Sequence, residues 1–140
     1  MARDLLSVLR RIALCLTFLL PTLAAQVERE SSQPVASLWQ PNASATTITN
    51  YIAQGYRITD LEIYDPASPR FSVTLVQNSG SYNVTGWWWY YNLTSTELRS
   101  YLAQNQARPI DVESYLDSSG TRRFAVVMVS NTGAATKDWY

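Results

Sequence analysis

The sequence predicts an α+β fold made of two tandem units, each a short helix followed by antiparallel β-strands, with a signal peptide in front. Three observations predict it: a repeat of about 50 residues, a helix-capping signal, and runs in which apolar and polar residues alternate. Of the 140 residues, 46% are hydrophobic and 16% are charged, which is enough apolar material for a packed core.

The composition excludes several classes of function. Eleven basic residues balance 11 acidic ones, so the charge excess typical of a nucleic-acid-binding protein is missing. The chain has no histidine, which excludes Ser-His-Asp and Cys-His catalysis and histidine metal sites. Its single cysteine, Cys15, cannot form an intrachain disulfide. We therefore expect no metal and no cofactor.

Residues 1–25 have the pattern of a secretory signal peptide. Arg3, Arg10 and Arg11 precede an apolar stretch at 12–20, and small residues follow, with cleavage expected after Ala24 or Ala25. The apolar stretch is shorter than the about 20 residues that span a bilayer, so we expect a secreted, extracellular chain without stable membrane insertion. Residues 26–38 are predicted to be a linker.

The remainder, residues 39–140, contains one unit twice, and the offset grows only where loops are expected. At an offset of 50, the matches are Trp39 with Trp89, Asn42 with Asn92, and Tyr51 with Tyr101. At an offset of 51, the matches are Arg57 with Arg108, Asp60 with Asp111, Glu62 with Glu113, and Tyr64 with Tyr115. At an offset of 53, the matches are Phe71 with Phe124, Val73 with Val126, Asn78 with Asn131, and Gly80 with Gly133. The predicted units are 39–88 and 89–138, and residues 139–140 would open a third.

Local patterns predict the elements of each unit. Thr94 and Glu97 form a capping box before an apolar helical stripe, and Gly55 is the expected end of the weaker first helix. Alternation predicts strands at 56–64 and 71–76, with Ile58 and Leu61 on opposite faces of the first of them. The aromatic run at 86–91 is predicted to be a third strand, and the second unit's strands are predicted at 108–115 and 122–129. Asn78 and Asn131 are predicted to be turn residues.

These patterns carry a family resemblance. The run at 55–64, the Asn78-Ser79-Gly80 turn and the aromatic run at 86–90 resemble the tandem repeat that accompanies β-lactamase-like serine hydrolases. The chain is similar in particular to the N-terminal repeats of fungal polyglycine hydrolases, secreted proteases that cut glycine-rich linkers in plant chitinases. The resemblance implies a non-catalytic, substrate-selecting part, because in that family the chemistry belongs to a separate domain with a Ser-x-x-Lys motif.

The family's catalytic motif is missing from this sequence. Lys137 is the one lysine, and the residue three positions before it is Ala134 rather than a serine. We therefore predict that the chain is not an enzyme. Two alternatives stay open: a fragment of an active secreted serine hydrolase whose catalytic domain is missing, and a stand-alone glycan-binding module.

Two groups of side chains are candidates for ligand binding. Large aromatics stack on sugars or extended peptides, although they also dominate protein cores. Paired carboxylates serve glycosidases as acid and base, but their recurrence in both units favours a structural role here, with Arg57 and Arg108 as ion-pair partners. The candidate residues are Trp87, Trp88, Tyr90, Asp60, Glu62, Asp111 and Glu113.

Three Asn-x-Ser/Thr sequons are candidates for N-glycosylation, at Asn42, Asn83 and Asn92. Together these features predict a secreted repeat module that recognises an extended polypeptide or a glycan outside the cell, with no nucleic-acid partner. Two units leave strand edges open, so we also expect marginal stability or self-association through these edges.

Overall fold

A computed structural model describes residues 35–138 of the chain. The predicted signal peptide at 1–25, the linker as far as residue 34, and Trp139 and Tyr140 lie outside the described residues. Neither of the two α-helices in the described part is long and apolar enough to cross a membrane.

The first unit consists of a strand, a helix and two further strands. These are β1 (Ser37–Ala43), α1 (Ala45–Ala53), β2 (Tyr56–Asp65) and β3 (Arg70–Gln77). The strands form an antiparallel sheet in the order β1-β3-β2, so that β3 lies in the centre.

The second unit repeats this arrangement. Its elements are β4 (Trp87–Leu93), α2 (Ser95–Gln104), β5 (Ala107–Leu116) and β6 (Arg122–Ser130). The sheet order is β4-β6-β5, again antiparallel throughout. A short 3-10 turn follows the last strand of each unit, at Gly80–Tyr82 and Gly133–Ala135.

The predicted order of elements was wrong in one respect. A strand precedes each helix, and the aromatic strand predicted at 86–91 belongs to the second sheet, where it pairs with β6. β1 was not predicted because Pro41 interrupts its apolar–polar alternation. A proline is tolerated at this position because β1 is an edge strand.

Bulges recur at equivalent places in the two units. The chain bends between Gln40 and Ala43 and again between Tyr90 and Leu93, where Asn42 and Asn92 adopt φ values of 53° and 57°. Asparagine tolerates this left-handed conformation better than most residues. A second pair of bulges lies between Ile58 and Asp60 and between Pro109 and Asp111.

The bulge in β2 corrects the predicted side-chain alternation. Ile58 and Leu61 both lie on the buried face, with exposed fractions of 0% and 1%. The extra residue at the bulge shifts the two-residue period by one, so a strict alternation places Ile58 on the wrong face.

Both helices begin at a residue whose side chain caps the first turn, of which the sequence predicted only Thr94. The Thr94 hydroxyl accepts from the Glu97 backbone N–H at 3.2 Å, and the Glu97 carboxylate accepts from the Thr94 N–H at 2.8 Å, which confirms the capping box. In the first unit Ser44 caps α1 by accepting from the Thr47 N–H at 3.1 Å.

Two hydrophobic clusters hold the units together. The first lies where α1 packs on the first sheet, and it also receives Tyr115, Ala125 and Val127 from the second sheet. The second cluster lies between the second sheet and α2, around Val126 and Met128. The second sheet is therefore covered on one side by the first unit and on the other by its own helix.

Candidate functional site

The aromatic strand β4 divides its side chains between the two hydrophobic clusters. Trp87 and Trp89 pack against the first cluster, and Trp88 and Tyr90 pack against the second, as the two-residue period predicts. All four side chains are half-buried, so each also keeps a surface in contact with solvent.

Ring contacts fix the positions of Trp89 and Tyr90 in this strand. The Phe71 ring lies edge-on to Trp89 at 5.6 Å and to Tyr91 at 5.2 Å between centroids. Tyr90 stacks on Tyr101 at 4.0 Å, and its hydroxyl accepts from the Asn105 side-chain amide at 3.2 Å. Trp89 and Tyr90 are thus held by other aromatic rings, while Trp87 and Trp88 are held by packing against the two clusters.

A groove of about 430 Å³ runs between this strand and helix α1. Its lining residues are Thr49, Ile52, Trp87, Trp88, Trp89 and Tyr90. Because β4 is an edge strand of its sheet, the groove follows a strand edge as well as an aromatic surface. The sequence does not reveal the contribution of Thr49 and Ile52, since only the packing of the two units brings α1 beside β4.

The acidic candidates occupy equivalent register positions in the two sheets. Asp60 pairs with Thr74 and Asp111 with Val127, while Glu62 pairs with Ser72 and Glu113 with Ala125. These pairings confirm the predicted repeat register. The environments nevertheless differ, because Asp60 and Glu62 are exposed whereas Asp111 and Glu113 are half-buried.

Asp111 joins the two units. Its carboxylate accepts a hydrogen bond from the backbone N–H of Leu61 at 2.6 Å. Burial raises the pKa of Asp111, and the neighbouring carboxylates of Asp60 and Glu62 raise it further, against the lowering effect of the Leu61 hydrogen bond. Burial, followed by repulsion from Glu62 and Asp111, also raises the pKa of Glu113.

The four carboxylates therefore form one mutually repelling patch along the junction of the units. Among the described residues, no three acidic or cysteine side chains are arranged so that they could hold a metal ion. The hydrogen bond of Asp111 gives that residue a structural role, whereas Asp60 and Glu62 remain accessible.

The expected pairing of the arginines with the acidic residues is wrong. Within residues 35–138 the structure contains one ion pair, between Arg123 Nε and Asp117 at 2.9 Å. Arg57 donates to the Tyr82 carbonyl at 3.2 Å, and Arg108 Nε is buried without a hydrogen-bond partner. Both arginines line a separate cavity of about 720 Å³, and none of the four carboxylates is among its lining residues.

Asn78 and Asn131 are turn residues whose side chains hydrogen-bond to the backbone six residues further along the loop. The Asn78 side chain accepts from the Val84 N–H at 2.8 Å and donates to the Val84 carbonyl at 3.2 Å. Asn131 makes the same two contacts with Lys137, at 2.8 and 3.2 Å. Each asparagine thus closes the loop that follows its unit.

The three sequon asparagines are exposed. Asn42 accepts a hydrogen bond from Arg70 Nε at 2.9 Å, and the Asn92 backbone N–H donates to the Tyr115 hydroxyl at 3.0 Å. Asn83 lies beside the cavity that contains Arg57 and Arg108.

Comparison with known proteins identifies the repeat. Residues 41–78 and 84–131 match the family model described as "Polyglycine hydrolase-like, structural repeat". The two matched segments coincide with the two structural units. No curated protein and no solved structure matches the chain at a significant level.

Proposed function

The chain belongs to the polyglycine hydrolase-like structural-repeat family, and on this premise we propose that it is an exported, non-catalytic module that recognises an extended polypeptide or glycan. The observation that carries the proposal is the groove between α1 and β4. It combines an aromatic lining with an open strand edge, and both features suit an extended ligand.

The strand edge favours a polypeptide over a glycan. A peptide in extended conformation adds to an exposed sheet edge through backbone hydrogen bonds. A glycine-rich segment suits such an edge, because without side chains its backbone approaches the strand and the indole rings of Trp87 and Trp88 closely. A glycan would instead use the rings as stacking surfaces alone. The family's name, which refers to polyglycine, agrees with the first ligand class.

The acidic candidates have a smaller part in this proposal. Asp60 and Glu62 are exposed on the outer face of the first sheet, close to Asp111 at the edge of the junction, and are able to meet polar groups of a bound chain, whereas Asp111 already holds Leu61. Binding would then rest on Trp87, Trp88 and Tyr90, with the exposed carboxylates adding polar contacts at a distance from the groove.

Tryptophan fluorescence during titration tests the proposal, because three of the groove residues are indoles. A glycine-rich peptide and a chito-oligosaccharide serve as the two probes. Thr49→Lys places a long charged side chain in the groove from an exposed helix position. Asn50→Lys, also exposed and on the same helix but outside the groove lining, is the matched control.

We expect saturable binding of the peptide by the unchanged chain and by Asn50→Lys, and at least about tenfold weaker binding by Thr49→Lys, corresponding to about 1.4 kcal/mol. Saturation by the sugar alone would favour the glycan-binding alternative. Equal affinity of the two lysine variants for either probe would show that the groove is not the binding site.

A further inference from the structure

The single junction between the two units shows which surfaces of this fold pack together. It covers Leu61 and Tyr115, which have exposed fractions of 1% and 7%. Their repeat counterparts, Val112 and Tyr64, are 43% and 60% exposed. Each position is therefore buried in the unit where it faces the junction. The equivalent position in the other unit faces away from the junction and is exposed.

One uncovered end is the outer face of the first sheet, which we call the back face and define by Trp39, Asp60 and Tyr64. These residues are the counterparts of Trp89, Asp111 and Tyr115, which form the second unit's half of the junction. Trp39 is 66% exposed, an unusual position for a large aromatic side chain.

The other uncovered end is the helix side of the second sheet, which we call the front face and define by Val112, Leu116, Arg99 and Leu102. Val112 and Leu116 are exposed apolar residues. On the same side of the sheet, Arg99 and Leu102 line a cavity of about 460 Å³ on α2. Their counterparts on α1, Thr49 and Ile52, border the aromatic strand of the next unit.

We propose that a second copy of this chain docks its back face on the front face, so that the contact between copies repeats the junction within one chain. The partner's Asp60 then lies beside Val112, as Asp111 lies beside Leu61. The partner's Trp39 enters the cavity on α2 next to Arg99, where a guanidinium–indole contact is favourable. This surface differs from the open strand edges considered for self-association on sequence grounds.

The two faces are different surfaces, so the contact is heterologous and leaves one face free at each end of any assembly. Self-association by this route continues to open chains rather than stopping at a dimer. The back face is more polar than the second unit's half of the junction, since Ser72 and Thr74 stand where Ala125 and Val127 are buried. The contact between copies is therefore weaker than the internal junction and depends on protein concentration.

One substitution at an exposed position on each face should prevent that face from binding the other copy. Val112→Lys places a charge on the front face, and Tyr64→Lys places one on the back face. Both positions are exposed, so each variant folds normally, which circular dichroism checks. Light scattering and sedimentation velocity then measure the mass of the chain, of each variant, and of an equimolar mixture of the two variants.

We expect the mass of the unchanged chain to rise with concentration beyond that of a dimer, and each variant alone to remain a monomer. The mixture should form a dimer and nothing larger, because each variant retains the face that the other has lost. A monomeric unchanged chain at every concentration would overturn the proposal. So would a symmetric dimer, seen as association that Val112→Lys abolishes and Tyr64→Lys leaves intact. Association that survives in both variants would place the contact elsewhere and overturn it as well.

Discussion

The carboxylate of Asp111 accepts a hydrogen bond from the backbone N–H of Leu61 at 2.6 Å, and this hydrogen bond connects the two repeat units. Replacement by alanine leaves a half-buried N–H without a partner. We expect Asp111→Ala to lower the free energy of unfolding by about 1–3 kcal/mol. The counterpart Asp60 is exposed, so Asp60→Ala should change it by about 0.5 kcal/mol or less. Urea denaturation measures both, and equal losses would contradict the role of Asp111 at the junction.

Acidification should first stabilise the protein. Burial raises the pKa values of Asp111 and Glu113, so the folded state binds protons more tightly than the unfolded chain. The free energy of unfolding therefore rises as the pH falls from about 7 toward the ordinary carboxyl range of about 4. Hydrogen bonds from Ser119 and Arg123 hold the pKa of Asp117 well below its usual range, and this contribution is lost at lower pH.

Glu113→Gln removes one repelling charge and should flatten the rise. The measurement is urea denaturation of both proteins at about pH 7 and pH 5. Stability of the unchanged chain that stays constant or falls over this interval would contradict the raised pKa values.

Substitutions at the two residues that directly follow the helix C-caps should have opposite effects on stability. Gly55 has a φ of 89°, and Gln106, at the equivalent position, has a φ of 47°. No atom lies within 4 Å of a Cβ built on Gly55, so the penalty of Gly55→Ala comes from the backbone and should be about 1–2 kcal/mol. Gln106→Gly should stabilise by about 1 kcal/mol, since it relieves the same conformation. Thermal melting gives both signs, and a destabilised Gln106→Gly would contradict this account.

Loss of the Asn78 side chain should lower the free energy of unfolding more than loss of the Asn131 side chain, although the two make equivalent hydrogen bonds. Asn78→Ala removes two bonds to the half-buried Val84 and should destabilise by about 1–3 kcal/mol. Asn131→Ala removes the corresponding bonds to Lys137 at an exposed site and should have a smaller effect. Denaturation of the two variants side by side measures the difference. A larger loss for Asn131→Ala would mean that the second loop carries more of the stability than its exposure indicates.

The helices and hairpins could be predicted because their signals are local. Thr94 and Glu97 are three residues apart, and the strand at 71–76 shows apolar–polar alternation. The bulge at Ile58–Asp60 could not be predicted, since no residue type in that stretch requires it. The ion pairs expected of Arg57 and Arg108 do not form. Arg57 donates instead to the Tyr82 carbonyl, and Arg108 Nε is buried without a hydrogen-bond partner. No sequence pattern indicates either environment.

The candidate site was predictable only in part. The aromatic side chains of β4 are evident in the sequence, and their division between two faces follows from the strand period. Their neighbours Thr49 and Ile52 lie more than 30 residues away in the chain and belong to the other unit. The groove therefore arises from the stacking of units, which a repeat pattern indicates without specifying its geometry.

The most direct test of the proposed function is a map of the binding surface by NMR. The isotope-labelled chain is titrated with a glycine-rich peptide while the backbone amides and the tryptophan indole N–H signals are followed. We predict that the largest shifts fall on Thr49, Ile52 and the indoles of Trp87 and Trp88, with small changes on the opposite edge of the second sheet. Absence of shifts at saturating peptide, or shifts centred away from α1 and β4, would contradict the assignment of this groove as the recognition site.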